Sequence, residues 1–504
     1  MAHGGPPAAD PSGFSGEVEH YRTGRVLFLA GVAALGGFLF GFDSAVVNGA
    51  VAALQDRFAI GDALIGFVVA IALLGSAVGA WFAGRLANAY GRRPVMLVAA
   101  ALFFAAAIGQ AFPVTAWDLM FWRFLGGAGI GIASVIAPMY IAEIAPAHLR
   151  GRLGSLQQLA IVSGIFASAL SNFIILRLAT GGAGDGGVQA RTSWLLGLEA
   201  WQWMFLVMVV PALLYGIGAL AIPESPRHLV AAGRDRDAEQ VLSQVFLGDQ
   251  RARVADIRST LGGDARPNFR SLRGRSFGLL PIVWVGILLS MFQQFVGINV
   301  IFYYSNTIWA SVGFGESQAF LITLITNTTN VAVTLVAIAL VDRLGRRPLL
   351  LIGSAGMASM LAVMAVLFGT AATCTAEVAA QGVSGCTPAA IGDPYLTGAA
   401  GPVAVLAANL YVVFFGVSWG PVVWVLLGEI FPNRLRAAAL ALAAAAQWVA
   451  NFLITMSFPP LAGASLGLAY ALYAAMAVLS FFFVLARVQE TKGRTLEELS
   501  RRNA

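Results

Sequence analysis

The chain has 504 residues, 58% of them hydrophobic and only 11% charged, a composition that excludes a water-soluble globular domain. Its formal charge of +6 rests on 31 basic residues, all but Lys492 arginine, against 25 acids. These arginines stand in short clusters between apolar runs, which excludes a nucleic-acid surface and leaves room, at about 20 residues per crossing, for roughly a dozen membrane helices.

The N-terminal stretch 1–25 is polar and acidic enough to exclude a cleavable signal peptide, so the chain is expected to insert through its own spans. Twelve apolar runs follow, at 26–54, 63–83, 94–113, 118–142, 154–178, 200–222, 277–309, 317–341, 348–371, 401–428, 437–458 and 464–486. Their lengths suit helices, not strands. In span 1, Asp43 is the only charge between Arg25 and Asp56. A carboxylate at membrane depth costs roughly 2.5–3.5 kcal/mol, so such a group faces protein or a wet cavity and marks an ion or substrate path. In span 4, Arg123 is the only charge between Asp118 and Glu143. If spans 1 and 4 pack together, the two pair and both burials become tolerable.

Alternate connections carry the basic clusters: Arg85, Arg92 and Arg93, then Arg150 and Arg152, then 223–276, then Arg343, Arg346 and Arg347, then Arg434 and Arg436. The remaining connections hold only Arg57, Arg177 and Arg191. The positive-inside rule therefore puts both termini and the long central segment in the cytoplasm. This predicts a tail at 1–25, a six-helix bundle at 26–222, a cytoplasmic linker with short amphipathic helices at 223–276, a second bundle at 277–486 and a tail at 487–504. Between spans 9 and 10, Cys374 and Cys386 lie on the outer side. As the only two cysteines they fit a disulfide closing a short loop, with free thiols the alternative.

The halves repeat. Gly91-Arg-Arg-Pro94 after span 2 returns as Gly345-Arg-Arg-Pro348 after span 8, and Glu143 to Arg150 (EIAPAHLR) after span 4 returns as Glu429 to Arg436 (EIFPNRLR) after span 10. Two related six-helix halves are an architecture of secondary transporters, with substrate at the midplane between them. The repeated charges suit a cytoplasmic gate made of Arg85, Arg92, Glu143, Arg150, Arg152, Glu224, Arg343, Arg346, Glu429, Arg436 and Glu490. Exposed pairs contribute about 0–1 kcal/mol each, yet a network of them biases a two-state equilibrium.

With PESPR at 223–227, QQFVGIN at 293–299, GGFLFGFDSAVVNG in span 1, APMYIAEIAP in span 4 and VSWGPVVWVLLGEIFPNRLR in span 10, the chain resembles the sugar porters of the major facilitator superfamily, most of all the bacterial xylose/proton symporters. Two positions depart from the family pattern: Asn88 stands where many members have Asp, and Gln489-Glu490-Thr491 replaces Pro-Glu-Thr. The resemblance implies an all-α polytopic protein of twelve helices in two pseudo-symmetric bundles, importing a pentose or hexose such as xylose or glucose. Sugar hydroxyls call for neutral amides, and sugar C–H faces for flat aromatic rings. By resemblance, Gln158, Gln293, Gln294, Asn299, Asn330, Trp424 and Asn451 sit where sugar porters bind substrate, with Gln447, Trp448 and Tyr303 beside them.

In the same family an acid at the position of Asp43 is associated with proton symport, and a neutral residue with facilitation. The expectation is sugar/proton symport through Asp43 and Arg123, with a facilitative uniporter as the alternative and a non-transporting sugar sensor below it. The four histidines, His3, His20, His148 and His228, form no metal or triad constellation, and no phosphate-binding loop is present. Neither an enzyme, nor a metal, nor a cofactor is expected. The partners are a monosaccharide, protons and the lipid bilayer of a bacterial inner membrane, with function as a monomer.

Overall fold

A computed structural model describes residues 21–145, 150–181, 188–261, 272–274, 277–381, 386, 391–392, 394–431 and 433–491. The first half is built from α1 (Thr23–Val46), α2 (Val51–Phe58), α3 (Asp62–Tyr90), α4 (Arg92–Ala111), α5 (Ala116–Ile144), α6 (Arg150–Thr180), α7 (Ala200–Leu206) and α8 (Val209–Ala221). Three short helices follow: α9 (Pro226–Ala231), α10 (Asp235–Val245) and α11 (Gln250–Leu261). The second half comprises α12 (Pro281–Phe295), α13 (Ile298–Ala310), α14 (Glu316–Leu344), α15 (Arg346–Gly369), the small α16 (Ala376–Ala380), α17 (Ala400–Val417), α18 (Trp419–Ile430) and α19 (Asn433–Arg487).

Eleven helical stretches among the described residues are long and apolar enough to cross a membrane, and the last of them, Ala438–Arg487, has 50 residues. At 1.5 Å per residue, about 75 Å of helix exceeds two hydrocarbon thicknesses. It folds back at Ser465, whose backbone is extended (φ −168°, ψ 113°), to give twelve crossings. The sequence places this break at 459–463, but the helix runs on through Pro459 and Pro460. Ser465 takes the turn because its hydroxyl accepts from the Leu468 N–H at 3.2 Å, an N-cap for the returning helix.

Spans 1, 6, 7 and 10 are each interrupted, where the apolar pattern reads as continuous. In span 7 the gap between α12 and α13 holds Gly297 at φ +86°, and a Cβ there would stand 2.7 Å from the Tyr473 ring. Only glycine satisfies both constraints.

The short helices α9 to α11 share a small core of Leu229, Val230, Ala238, Val241, Leu242 and Val254. They dock beside the start of α1, where Arg25 donates to the Gln244 side chain at 3.1 Å and Tyr21 packs on Phe246 with ring centroids 5.1 Å apart. This end of the molecule is called the terminal face below. At the opposite face, Glu199 and Asp56 both bind Arg191 and push its pKa above the ordinary arginine value.

On that same face β1 (Ala372–Thr373) pairs antiparallel with β2 (Pro394–Tyr395), and Cys374 and Cys386 are joined in a disulfide. Intact-mass measurement after alkylation should therefore show no adduct without reductant and two with it. Adducts on the unreduced protein would refute the bond.

Candidate functional site: twin charge clusters and an amide-lined centre

The sequence repeat becomes a repeat of geometry at the terminal face. Arg92, at the start of α4, reaches Glu143, at the end of α5, at 2.7 Å, and Arg346, at the start of α15, reaches Glu429, near the end of α18, at 2.9 Å. A second carboxylate closes each cluster. Glu224 accepts from the main-chain N–H groups of Arg92 and Arg93 at 2.8 and 3.1 Å, and Glu490 from those of Arg346 and Arg347 at 3.1 and 3.0 Å. An anion belongs there, because unsatisfied N–H groups and the helix dipole meet at a helix N-terminus. Glu490 occupies the equivalent place although the usual Pro is Gln489. Each of these bonds closes within its own half.

Two further expected gate residues are exposed. Arg85 is exposed and lies over the Trp81 ring at 5.6 Å, while Arg343 is exposed at the end of α14. The side chains of Arg150, Arg152 and Arg436 lie outside the described residues.

The break between α12 and α13 organises the centre. Residues five apart on an unbroken helix point about 140° apart. Across the gap, however, the Asn299 amide donates to Gln294, and Gln294 donates to Gln293 at 3.4 Å. Gln293 in turn donates to the carbonyls of Trp419 and Gly420 at 2.8 and 3.2 Å, tethering α12 to α18. From α19, Asn451 meets Tyr303 of α13, Gln447 keeps a buried amide oxygen with no hydrogen-bond partner, and the Trp448 ring packs on Phe40 of α1 at 6.0 Å.

Gln158 of α6 is half-buried, Asn330 of α14 is 6% exposed and Trp424 of α18 is 45% exposed. These three reach none of that group through a hydrogen bond among the described residues. Sequence reasoning passed over Gln157, which is buried against Gly37 with neither amide atom hydrogen-bonded among the described residues. The doubled glutamine was its only signal.

The buried acid differs from expectation in one respect. Asp43 and Arg123 are 0% and 2% exposed, but they do not touch directly: Gln110 of α4, itself 0% exposed, stands between them. Its amide nitrogen donates to Asp43 Oδ1 at 3.3 Å and its amide oxygen accepts from Arg123 at 3.3 Å. Arg123 also donates to the Val68 and Val69 carbonyls of α3 at 3.0 and 3.2 Å. Asp43 Oδ2 has no hydrogen-bond partner among the described residues. A lone amide in an alanine-rich run gives no sequence signal of such a bridge.

Toward the opposite face the halves are bonded to each other. Asn306 of α13 donates its main-chain N–H to the Asn48 side chain at 3.0 Å, and Glu316 of α14 accepts from the N–H groups of Gln189 and Ala190 at 2.7 and 3.1 Å. The cavity lined by Asn48, Asn172, Asn306 and Asn327 measures about 10 Å³. That is room for one water and no sugar.

Twelve crossings in two repeated halves, matched charge clusters at one face and a polar centre between the halves define a secondary transporter. The family model described as "Sugar (and other) transporter" matches residues 29–502, and the chain belongs to that family, within the major facilitator superfamily. It is 53% identical to the glucose transport protein of Synechocystis sp., over 98% of this chain and 100% of that one. It is 37% identical to the D-xylose-proton symporter of Escherichia coli K12, over 95% of this chain and 96% of that one. Among solved structures, the inward open conformation of the E. coli xylose transporter XylE is similar at a TM-score of 0.76 and 35% identity, covering 94% of this chain and 99% of that one. XylE bound to 6-bromo-6-deoxy-D-glucose is similar at a TM-score of 0.72 and 36% identity, covering 96% and 100%. The protein is a multi-pass membrane transporter of sugars and not an enzyme.

Proposed function

We propose that the protein imports a monosaccharide by proton symport, with alternating access between its two halves. The observation that carries this reading is Asp43: an acid sealed at membrane depth, held by an amide on one oxygen and free on the other. Nothing in sugar binding requires it, since neutral amides suffice for hydroxyls. A protonatable group that faces no fixed counter-ion directly is what coupling needs.

The relative named a D-xylose-proton symporter supports the coupling, and the relative named a glucose transport protein makes glucose the first sugar to test. By the positive-inside rule this reading puts both termini and α9 to α11 in the cytoplasm, which makes the bonded opposite face the outer one. Bonds between the halves at Asn48–Asn306 and Glu316–Gln189 support an inward-facing state, in a protein proposed to act as a monomer in the bacterial inner membrane. In this reading the halves 26–222 and 277–486 rock about the centre, with 223–276 as the linker. The clusters around Arg92 and Arg346 form the inner gate, to which Arg85, Arg150, Arg152, Arg343 and Arg436 are assigned from the sequence alone.

Proteoliposomes with labelled D-glucose and D-xylose test the proposal. Symport predicts accumulation above the external concentration only under an inward proton gradient. Equilibration indifferent to the gradient would establish a uniporter instead, and absence of flux a sensor.

The sugar is assigned to Gln158, Gln293, Gln294, Asn299, Asn330, Trp424, Asn451, Gln447, Trp448 and Tyr303. A neutral hydrogen bond contributes about 0.5–1.5 kcal/mol, so Gln294→Ala and Asn299→Ala should each weaken sugar binding roughly 2- to 12-fold. Unchanged binding in a tryptophan-quenching titration of both variants would remove them from the site.

A further inference from the structure

Gln110 lies on α4, outside the amide group at the centre, yet it touches both charges buried in the first half. We infer that Gln110 is a positioning residue for proton coupling, which fixes Asp43 relative to Arg123 and leaves Oδ2 as the oxygen that takes the proton. The inference rests on the symport reading above.

The orientation of the amide follows from its neighbours. A guanidinium has donors only, so Gln110 must turn its oxygen toward Arg123, and its nitrogen then faces Asp43. Arg123 cannot swing away from this arrangement, because the Val68 and Val69 carbonyls hold its other nitrogens. The amide nitrogen offers only protons, so Asp43 Oδ1 remains an acceptor whether or not the carboxyl is protonated. The incoming proton therefore belongs on Oδ2, which faces Gly126, where a Cβ would stand 3.2 Å away.

A guanidinium in direct contact would hold the carboxylate ionised. An interposed neutral amide weakens that hold and keeps both groups in one hydrogen-bonded line. The other groups facing Asp43 and Arg123 are Tyr303 and Tyr304 of α13. Tyr215 of α8 meets α1 at Gly36, and α6 brings the neutral Gln157 to Gly37.

Two variants test the assignment in proteoliposomes, with D-glucose as probe and Asp43→Asn alongside. Gln110→Leu removes both hydrogen bonds at similar volume. Counterflow should fall less than threefold while gradient-driven accumulation falls tenfold or more, and the pH of half-maximal uptake should move up by about one unit. Gln110→Glu still satisfies Arg123 but sets an acceptor against Asp43. The two carboxyls then share a proton, and uptake should titrate in two separated steps.

Wild-type pH profiles in both variants would overturn the inference. So would equal loss of both flux modes in Gln110→Leu with a wild-type profile in Gln110→Glu, the pattern of a residue that only packs. If Gln110→Leu does not fold, the Gln110→Glu profile decides. Accumulation surviving in Asp43→Asn would overturn the symport reading and this inference together. Accumulation lost in Asp43→Asn with unmoved Gln110 profiles would overturn the Gln110 assignment alone.

Discussion

Asp43→Asn should exchange sugar across the membrane and fail to concentrate it. Asparagine matches aspartate in size and keeps an oxygen for the Gln110 amide, while Arg123 stays anchored by Gln110 and by the Val68 and Val69 carbonyls. The helices around position 43 therefore have no reason to move. What disappears is an oxygen able to take a proton, and with it the dependence of the conformational equilibrium on the proton gradient. With one proton per sugar, a gradient of one pH unit is worth about 1.4 kcal/mol, or roughly tenfold accumulation in the wild type. The variant should level off at the external concentration, with counterflow retained. Uphill transport by the variant would remove Asp43 from the coupling step.

The other large effect is structural. Gly127→Leu should abolish the folded protein, and Gly127→Ala should lower its thermal midpoint. A Cβ at Gly127 would stand 2.0 Å from the Ala72 carbonyl oxygen of α3, and one at Gly131 would stand 2.0 Å from that of Ser76. The contact is reciprocal, for Gly75 and Gly79 on α3 would meet the Phe124 and Ala128 carbonyls of α5 at 2.1 and 2.2 Å. Helices in lipid gain no hydrophobic drive from meeting each other, so their association depends on such close packing of small residues.

Overpacking a core that can deform costs about 1–3 kcal/mol. Here the obstacle is main chain on a rigid helix, so α3 and α5 must separate along their length, and Arg123 loses the α3 carbonyls that hold it. Gly84→Ala, on the same α3 but with no atom within 4 Å, is the control and should melt as the wild type does. A thermal-shift assay of the detergent-solubilised protein decides the matter. Wild-type melting of Gly127→Leu would refute the account.

The span count, the repeat and the twin charge clusters were legible because each rests on local chemistry: about twenty apolar residues per crossing, and an arginine pair at a helix start answered by a distant Glu. That is why Glu143 and Glu429 were recognisable as equivalent before their partners were visible, whereas the equivalence of Glu224 and Glu490 emerged only from their bonds to the two helix starts. The isolated charge of Asp43 was equally plain, since an acid in an apolar run stands out without any neighbour.

Its partner was not plain. Pairing with Arg123 follows from charge alone, but whether two side chains touch depends on where α1, α4 and α5 pack, and that packing put Gln110 between them. The helix breaks were hidden for a related reason. Each of spans 7 and 10 is apolar enough as a whole to read as one crossing, and only the fold shows the Tyr473 ring against Gly297. By itself the sequence determined a membrane-embedded protein in two repeated halves, because burial and charge placement are written residue by residue, and its motifs carried the likeness to sugar porters. Tertiary structure alone decided that the amides at 293, 294 and 299 meet, and that an amide separates the two buried charges, because hydrogen bonds form between surfaces that only the assembled helices bring together.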